Sequence, residues 1–405
     1  MKRKKMEVPG PGDRCAGSLN ALYIAVEEDL EISCEIRTGG FLLVAELETP
    51  AVIVDLDVVE RNLSRMADYC RANNIRLRPH TKTHKIPALA KWQLEKGARG
   101  ITVAKVGEAE VMLEAGITDI LIAYPVFGGA KAAKLAELAT RANLTVALDS
   151  LEVAEAISRE AKRKNAIVRV LVEIDVGFRR CGIANEDDVL ALAQKVDGLP
   201  KLEFNGLMFF PGHFQVPEQE RAAMRVGVND FLSRIQSKLQ QTTLPLITIS
   251  GGSTPTALES HLFVGVNETR PGMYIFNDRT MVGIGVAQEE DCALSVVTTV
   301  VSTSVSGRAI IDAGSKTLSS DRYPTGVGKG FGLIKSDSDA ELEQLSEEHG
   351  HLNISRSMHK YRVGQRLTVI PNHVCSTVNM HNQIYGVRGD RVETVWEVAG
   401  RGKVQ

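Results

Sequence analysis

Short apolar runs rich in β-branched residues recur up to about residue 275, and stretches with helical spacing separate them. Strands that alternate with helices in this way predict parallel βαβ units. Eight such units favour an α/β fold of the (β/α)8 TIM-barrel type, while a doubly wound open sheet stays possible because one sequence does not decide strand order. The predicted strands are IRLRP (75–79), GITVA (100–104), DILIAYP (119–125), LTVALDS (144–150), VRVLVEIDV (168–176), FNGLMFFPG (204–212), LITISGG (246–252) and ETRPG (268–272).

Two of the intervening stretches show the helical pattern clearly. VVERNLSRMADYCRAN has apolar residues spaced along one helix face, which predicts an amphipathic helix. VGEAEVMLEAG is apolar at helical spacing and ends in Gly116, the residue type that commonly closes a helix. The face of the first helix consists of Val58, Leu63, Met66 and Tyr69.

The pattern changes after residue 275, where helical periodicity is largely lost in ALSVVTTVVSTSVSG, RAIIDAGS, QRLTVIPNHVCSTVNMHN and DRVETVWEVAG. These segments predict a second, β-rich domain. Two earlier segments, ISCEI and GFLLVAELETP, are predicted as short strands that join it, and residues 1–20 are predicted to be disordered. The expected organisation is a barrel over 48–275 and a β-rich domain over 276–405, joined by strands from 20–47.

Composition narrows the class of partner. The chain has 405 residues, 43% hydrophobic and 24% charged, with a formal net charge of -2, and its only basic run is MKRKK. This balance gives no electrostatic basis for binding nucleic acid or anionic lipid. The six cysteines are scattered without a CxxC pair, which suits a reducing compartment, and no segment approaches the length of a membrane span. We therefore expect a cytoplasmic protein that acts on a small molecule.

The octapeptide RPHTKTHK (78–85) ends the first predicted barrel strand. Functional groups of such barrels lie at the carboxyl ends of the strands, so these donors are candidates for a site. A lysine there can form an imine with an aldehyde if a nearby cation or an apolar pocket keeps its amine neutral. Lys82 is the first candidate, Lys85 and Lys105 are alternatives, and His80 is a neighbouring binding group. A solvated surface loop is the competing interpretation for any single lysine.

Glycines and hydroxyls end the seventh and eighth predicted strands, in ISGGST and TRPGMY. Loops at these strands form the usual phosphate site of the fold, because backbone N–H groups can approach an anion where no side chain intervenes. Alone, SGGST is a weak signal. A lysine on strand one opposite such a site suits pyridoxal phosphate (PLP), which carries an aldehyde and a phosphate on one ring. The predicted phosphate-site residues are Gly251, Gly252, Ser253, Thr254, Gly272 and Tyr274.

A third cluster is PNHVCSTVN, in which His373 and Cys375 stand two apart on a predicted strand. Alternate residues of a strand share a face, so the imidazole and the thiol can reach one point. Both groups are good zinc ligands, and water and substrate would complete a site with so few protein ligands. A half-buried histidine beside a structural cysteine is the alternative.

Five stretches resemble the signature segments of one family: RPHTKTHK, VEIDVGFRRCG, SGGSTPT, TRPGMYIFNDR and PNHVCSTVN. They look like those of the D-threonine aldolase and D-serine dehydratase family, PLP-dependent enzymes of alanine racemase-like fold, and the resemblance runs from about Thr49 to the C-terminus. It implies a barrel with a β-domain, a head-to-tail dimer, and Lys82 as the Schiff-base lysine. It also implies a divalent metal (Mn, Zn, Mg or Co) on His373 and Cys375.

The resemblance also suggests a role for an arginine in VEIDVGFRRCG, and the chain departs from the family pattern at several positions. Arg180 is similar to an arginine that contacts the cofactor ring or its phenolic oxygen, whereas Arg179 better suits a surface ion pair. Phe210 stands where several of the aldolases have tyrosine, and His213 is the candidate substitute for a histidine that they carry nearby. Some of the aldolases have aspartate at Cys375, and the His-x-Cys pair is typical of the D-serine dehydratases.

Three functions follow as hypotheses. The favoured one is cleavage of a D-3-hydroxy amino acid, such as D-threonine to glycine and acetaldehyde, with Lys82 and His213 as candidate proton carriers. The second is dehydration of D-serine or D-3-hydroxyaspartate to a 2-oxo acid and ammonia by the same residues. The third is a non-catalytic PLP carrier, and the predicted β-domain weighs against it because such carriers generally consist of the barrel alone.

Overall fold

The computed structural model describes residues 42–323 and 328–405. Eight parallel strands curl into a barrel, and a second, mainly antiparallel sheet forms a separate region. This arrangement confirms the predicted barrel with a β-rich second domain, and it excludes the doubly wound open sheet. Among the described residues, no helix combines the length and the apolarity needed to cross a membrane.

A strand and a helix precede the barrel strands, and all eight predicted barrel strands are present. The first helix begins with Asp55, whose carboxylate accepts hydrogen bonds from the backbone of Asp57 and Val58 and so caps the helix. The strands are β1 (Ala51–Asp55), β2 (Arg76–Leu77), β3 (Ile101–Val103), β4 (Asp119–Ile122), β5 (Asn143–Leu148), β6 (Val168–Ile174), β7 (Leu202–Phe209), β8 (Thr248–Gly251) and β9 (Glu268–Thr269).

Helices separate most of the barrel strands, as the apolar spacing predicts. Gly116, after the third helix, has φ of +87°, a left-handed conformation that suits glycine at a helix end. A 3-10 helix, Thr254–Leu262, takes the place of a helix between β8 and β9. The helices up to β8 are α1 (Leu56–Ala72), α2 (Pro87–Glu95), α3 (Val106–Glu114), α4 (Gly129–Leu138), α5 (Leu151–Lys164), α6 (Glu186–Asp197) and α7 (Glu218–Gln240).

The barrel closes between β2 and β3. The ladder runs in the order β2-β9-β8-β7-β6-β5-β4-β3, and an isolated parallel bridge between His80 and Thr102 joins its two ends. The backbone N–H of Thr102 donates to Pro79 O at 2.8 Å, which supports that closure. The residues just past β2 and β3 are therefore neighbours at the carboxyl end of the barrel.

Within the described ranges, the second sheet has nine strands, six of which form a closed ring. Its neighbours are antiparallel except β1 and β16, which are parallel. Three short helices accompany it: α8 (Arg279–Gly283), α9 (Ser315–Leu318) and α10 (Val374–Met380). Besides β1, the strands are β10 (Leu294–Ser302), β11 (Arg308–Ile311), β12 (Gly332–Ile334), β13 (Glu341–Leu345), β14 (Gly350–Asn353), β15 (Arg366–Pro371), β16 (Gln383–Arg388) and β17 (Arg391–Glu397).

The segments around the expected domain boundary differ in detail from the sequence analysis. ISCEI and residues 1–20 lie outside the described residues. The strand predicted for GFLLVAELETP is wrong over Val44–Glu46, which form a 3-10 helix, and Leu43 alone bridges to Arg391 of the second sheet. β1 lies in the range expected for the barrel but pairs with β10 and β16. The boundaries at 48–275 and 276–405 stay a prediction.

The barrel interior combines an apolar cluster with a buried polar chain. Leu121, Ala147, Leu171 and Met208 form the apolar cluster. The polar chain links β2, β8 and β9: Arg78 Nε donates to Glu268 at 2.9 Å, and Ser250 Oγ donates to the other Glu268 oxygen at 2.7 Å. Buried polar groups paired in this way hold the strand ends in a fixed geometry below the site.

Candidate active site

A cavity of about 660 Å³ opens at the carboxyl ends of the barrel strands and extends to α10 of the second region. It brings together nine of the predicted site residues and leaves out three: His213, Gly251 and Tyr274. The nine that line it are His80, Lys82, Arg180, Gly252, Ser253, Thr254, Gly272, His373 and Cys375.

Lys82 lies in a single 3-10 turn, Thr81–Thr83, which follows β2 and the bridge residue His80. His80 caps this turn, since its Nδ1 accepts a hydrogen bond from the Lys82 backbone N–H at 3.3 Å. Burial, with the nearby charges of Lys82 and Arg270, holds the pKa of His80 well below its usual value. A neutral His80 can accept that bond, and the Lys82 amine extends into the cavity, 5.8 Å from the centre of the Phe210 ring.

The two alternative lysines also line the cavity but have different partners. Lys85 is buried, 3.2 Å from Glu108 Oε1, and its Nζ donates to Asn379 Oδ1 at 2.9 Å. Lys105 Nζ lies 3.7 Å from the centre of the Tyr124 ring. Because Lys85 is held in a buried ion pair, its amine is unsuited to covalent chemistry, and this favours Lys82.

Of the three glycines predicted at the phosphate site, two lie at the cavity and one packs in the core. Gly252 has φ of +118°, and a Cβ there would lie 2.5 Å from Thr269 Oγ1. A Cβ at Gly272 would lie 2.8 Å from Thr83 Oγ1. Both positions therefore need glycine and present bare backbone to the cavity, which fits a phosphate-binding loop. Gly251 packs against the Phe209 ring instead, where a Cβ would lie 2.2 Å away.

Tyr274 lies away from the cavity in the core behind RPHTKTHK. Its hydroxyl accepts a hydrogen bond from Gln93 Nε2 at 3.1 Å, and burial raises its pKa. Gln93 Oε1 in turn lies 3.2 Å from His84 Nε2, and His84 Nδ1 accepts from the Ile86 backbone at 3.0 Å. His84 is thus neutral, with its proton on Nε2, and burial lowers its pKa to about 4. This series of hydrogen bonds holds the Lys82 loop in place on the side away from the cavity.

The strand predicted for His373 and Cys375 is wrong. β15 ends at Pro371, His373 is the N-cap of α10, and Cys375 lies in its first turn. The two side chains still meet, because the chain turns into the helix between them. Asp278 orients the histidine: its Oδ2 lies 3.2 Å from His373 Nδ1 and accepts from the Val374 backbone at 3.2 Å.

The pKa values of His373 and Cys375 shift in opposite directions, each toward the charged form of the side chain. Burial alone would lower the pKa of His373, but the Cys375 thiolate and the hydrogen bond to Asp278 raise it to about 11. Burial alone would raise the pKa of Cys375, but the charges of His373 and Lys82 lower it. The thiolate is the metal-binding form of cysteine, and a divalent ion would replace the proton of the imidazole.

These residues fit a metal site with open positions. Within the described ranges, no group of three or more histidine, cysteine, aspartate or glutamate side chains is arranged to hold an ion. His373 Nε2 and Cys375 Sγ would be the protein donors to such an ion, and Asp278 lies at Nδ1, where carboxylates commonly orient metal-binding histidines. Sparse protein ligation of this kind suits a catalytic rather than a structural ion.

His213 and Phe210, three residues apart in sequence, lie in different environments. Phe210 lines the cavity, whereas the His213 ring packs on Phe178 and Phe214 outside it, with ring centres 6.5 Å and 4.8 Å away. Burial lowers the pKa of His213. Gln215, two residues after His213, also lines the cavity.

Arg180 and Arg179 lie in different environments, and their expected roles stay predictions. The Arg180 guanidinium lies 4.6 Å from the centre of the Phe210 ring and lines the cavity. Arg179 has φ of +57°, is exposed and does not line it. Both aromatic rings beside Arg180, Phe178 and Phe210, hold its planar group across the cavity mouth.

Sequence reasoning missed three buried charged residues near the site. Arg270 donates to Ser250 Oγ at 2.6 Å and to Phe209 O at 2.8 Å, and burial lowers its pKa to about 10. Glu173 lines the cavity, has an unpartnered buried oxygen, and burial raises its pKa to about 7. Asp278 orients His373. Glu173 could have been identified from the sequence as a candidate site residue, because it is a charged residue within the apolar strand VRVLVEI.

The site combines a lysine and exposed glycine backbone from the barrel with a histidine and a cysteine from the β-rich region. This combination, with the fold, defines an alanine racemase-like enzyme. The alanine racemase N-terminal domain family matches residues 54–280, and a serine dehydratase domain family matches residues 293–387. The chain therefore belongs to the alanine racemase-like family that contains the D-threonine aldolases and D-serine dehydratases.

Three relatives illustrate the family. The D-threonine aldolase of an Arthrobacter species is 34% identical over 88% of this chain and 94% of its own length. The D-threo-3-hydroxyaspartate dehydratase of a Delftia species is 33% identical over 87% of this chain and 97% of its own. The crystal structure of D-threonine aldolase from Filomicrobium marinum has a TM-score of 0.84 at 34% identity and covers 90% of this chain and 99% of that one.

The family depends on PLP, and its D-threonine aldolases and hydroxyaspartate enzymes use a divalent metal. These cofactors agree with the two parts of the cavity: the lysine with the glycine loops, and the His373–Cys375 pair.

Proposed function

We propose that this protein is a PLP- and divalent metal-dependent lyase that cleaves D-3-hydroxy amino acids, with D-threonine cleaved to glycine and acetaldehyde. The observation that carries the proposal is that Lys82 and the His373–Cys375 pair line one cavity although they are 291 residues apart or more in sequence. A substrate bound there can meet a cofactor and a metal at the same time.

The barrel residues would hold PLP. Lys82 would bind it covalently, the backbone of Gly252, Ser253 and Gly272 would receive the phosphate, and Arg180 would contact the ring. When bound, PLP supplies an electron sink for negative charge at the substrate Cα. The Lys82 amine, released when substrate binds, can carry a proton at Nζ to or from Cα.

The second region would hold the metal through His373 and Cys375. The ion supplies Lewis-acid chemistry at a substrate hydroxyl. Asp278 keeps the imidazole oriented, and Thr83, whose Oγ1 lies 3.3 Å from Cys375 Sγ, links the thiolate to the Lys82 loop. His213 stays a candidate proton carrier only through a rearrangement of its loop, because its ring does not line the cavity.

Dehydration to a 2-oxo acid and ammonia is the second candidate function. Cys375 favours it, because the His-x-Cys pair is typical of the D-serine dehydratases, and one of the reported relatives is a dehydratase. The PLP-carrier alternative is weakened by the second region, which supplies a histidine and a thiolate that a carrier would not need.

One assay separates these functions. The protein, loaded with PLP and Mn²⁺, is incubated with D-threonine and with D-serine, and aldehyde, glycine and ammonia are measured. We expect glycine and acetaldehyde in equal amounts from D-threonine, without ammonia. Ammonia with a 2-oxo acid would assign the dehydratase reaction, and no product from either compound would favour the carrier.

We also propose a homodimer and a cytoplasmic location. Tyr124 and Phe127, beside the cavity, are 42% and 66% exposed, and an apolar rim of this kind suits burial against a second copy. Light scattering after size exclusion would test the dimer, with a monomeric mass contradicting it. The described cysteines are free, as expected in a reducing compartment.

A further inference from the structure

We infer that Lys105 binds the α-carboxylate of the amino acid substrate. The inference rests on the proposed function in one respect, that the substrate is an amino acid bound beside PLP. It concerns a residue for which the sequence analysis gave only a fallback role as the cofactor lysine.

Lys105 is placed beside Lys82 by the closure of the barrel. The bridge between His80 and Thr102 aligns β2 with β3. Lys82 is two residues past His80 and Lys105 is three past Thr102, so both side chains leave neighbouring strands at the same end of the barrel. Both line the cavity. A group bound at Lys82 therefore has Lys105 as a neighbour.

The other positively charged side chains at the cavity are less suited to bind a substrate carboxylate. Among the described residues, five lysine and arginine side chains line the cavity: Lys82, Lys85, Lys105, Arg180 and Arg270. Lys85 is paired with Glu108 and bonded to Asn379. Arg270 donates to Ser250 and to the Phe209 carbonyl below the cavity floor. Neither can turn to a substrate without leaving a buried partner unpaired.

Arg180 and Lys105 remain for an anionic substrate group. Arg180 lies against Phe210 and Phe178 at the mouth, where its planar guanidinium suits contact with a cofactor ring. Lys105 Nζ lies over the Tyr124 ring at 3.7 Å and has no carboxylate within ion-pair distance in the part of the chain that the structure describes. The aromatic face orients the ammonium without neutralising it, so its N–H donors are left for an anion.

The neighbouring acidic residue does not remove this capacity. Glu108 is the carboxylate on the adjoining helix, but both its oxygens are used, one by Lys85 and the other by the Ala104 backbone N–H at 2.7 Å. A substrate carboxylate beside Lys105 therefore meets an uncompensated positive charge, which strengthens charge-assisted hydrogen bonds.

The test measures binding without turnover. D-alanine has the α-carboxylate but no hydroxyl to cleave, and D-alaninol has a hydroxymethyl group in place of the carboxylate. Their binding to the PLP-loaded protein is followed by the change in cofactor absorbance. For Lys105→Met we expect D-alanine to bind between about 10- and 100-fold more weakly, with D-alaninol unchanged. Lys105→Arg should recover most of the loss, and Lys131→Met, at an exposed position on α4, should match the parent.

Several outcomes would overturn the inference. Equal weakening of D-alanine and D-alaninol would mean a structural role. Unchanged D-alanine binding with selective weakening of D-3-hydroxyaspartate would place Lys105 at the side-chain carboxylate. A selective loss of D-alanine in Arg180→Met, but not in Lys105→Met, would transfer the role to Arg180.

The proposed function fails in a different way. If the parent binds D-alanine but releases no product from D-threonine or D-serine, the lyase proposal fails while the Lys105 comparison stays valid. Cofactor absorbance of each variant before ligand addition verifies that the cofactor site is intact.

Discussion

The barrel and the nine-stranded region contribute to one cavity by different means. Barrel groups such as Lys82 and Gly252 lie in the loops that follow parallel strands, so they meet at the carboxyl end of the barrel. His373 and Cys375 come instead from the start of one short helix. Asp278 binds the backbone at the start of that helix, and contacts with Thr83 and Lys85 hold it against the barrel.

The two halves of the site should therefore respond differently to substitutions. The geometry of the cofactor half depends on many backbone hydrogen bonds between parallel strands. Replacing a single side chain there removes a functional group but leaves the backbone geometry in place. The metal half depends on a few side-chain contacts between regions. Changes in those contacts should therefore disturb metal binding while the cofactor half stays intact.

The largest effect is expected for Lys82→Ala, which removes the covalent attachment and proton carrier of the barrel half. We expect kcat to fall by on the order of 10³-fold or more and the absorbance of lysine-bound cofactor to disappear. Lys82→Arg keeps the charge but should fail equally. Retention of that absorbance in either variant would move the attachment to another lysine.

The next effect concerns the buried contact between the regions. Lys85→Met leaves Glu108 unpaired in the interior and removes the bond to Asn379 of α10, so we expect a loss of about 3–5 kcal/mol in the free energy of unfolding. Denaturant titration of the metal-free protein measures it. The half-exposed pair of Lys96 and Glu60 provides the control, and Lys96→Met should cost about 1 kcal/mol or less.

A smaller loss in unfolding free energy for Lys85→Met than for Lys96→Met would contradict the stabilising role of the buried Lys85–Glu108 pair and of the Lys85–Asn379 bond. The double variant Lys85→Met/Glu108→Gln removes the unpaired charge as well. It should recover part of the loss, because an uncompensated buried carboxylate is the costly element.

His84 makes the back of the Lys82 loop sensitive to acid. Its pKa is about 4 in the folded protein, against an ordinary value of 6.5, so the unfolded chain takes up a proton first as the pH falls. Neutral His84 therefore contributes at most about 3 kcal/mol to the free energy of unfolding above pH 6.5. This contribution is lost as the pH falls from 6.5 to 4. Unfolding free energies of the parent and of His84→Gln across this range measure it, and an identical pH dependence in both would contradict the assignment.

The smallest expected effect belongs to the orientation of His373. Asp278→Asn keeps the size of the side chain but removes its charge, and we expect metal affinity to fall by about 10- to 100-fold with cofactor absorbance unchanged. Asp312→Asn, at the residue after β11 and bonded to Thr298 and Thr49, is the matched control. Loss of cofactor binding in Asp278→Asn would show that the two halves are not independent.

Most of the barrel could be predicted from the sequence, and part of the site could not. The eight strands and the position of Lys82 follow from local patterns, since β-branched runs and helical spacing are properties of neighbouring residues. The helical start at Val374 was missed because VIPNHVCSTV reads as one β-branched run. Tyr274 was predicted at the phosphate, but its side chain turns to Gln93 in the core.

By itself, the sequence determined the order and type of most elements and the chemical groups at the strand ends, because these depend on residues close together in the chain. The tertiary structure alone decided which groups share the cavity: it placed Arg270 and Glu173 there and left His213 outside. It also decided that Asp278 orients His373, 95 residues away. The physical reason is that such contacts follow from the closure of the barrel and the docking of the second region, which no local pattern specifies.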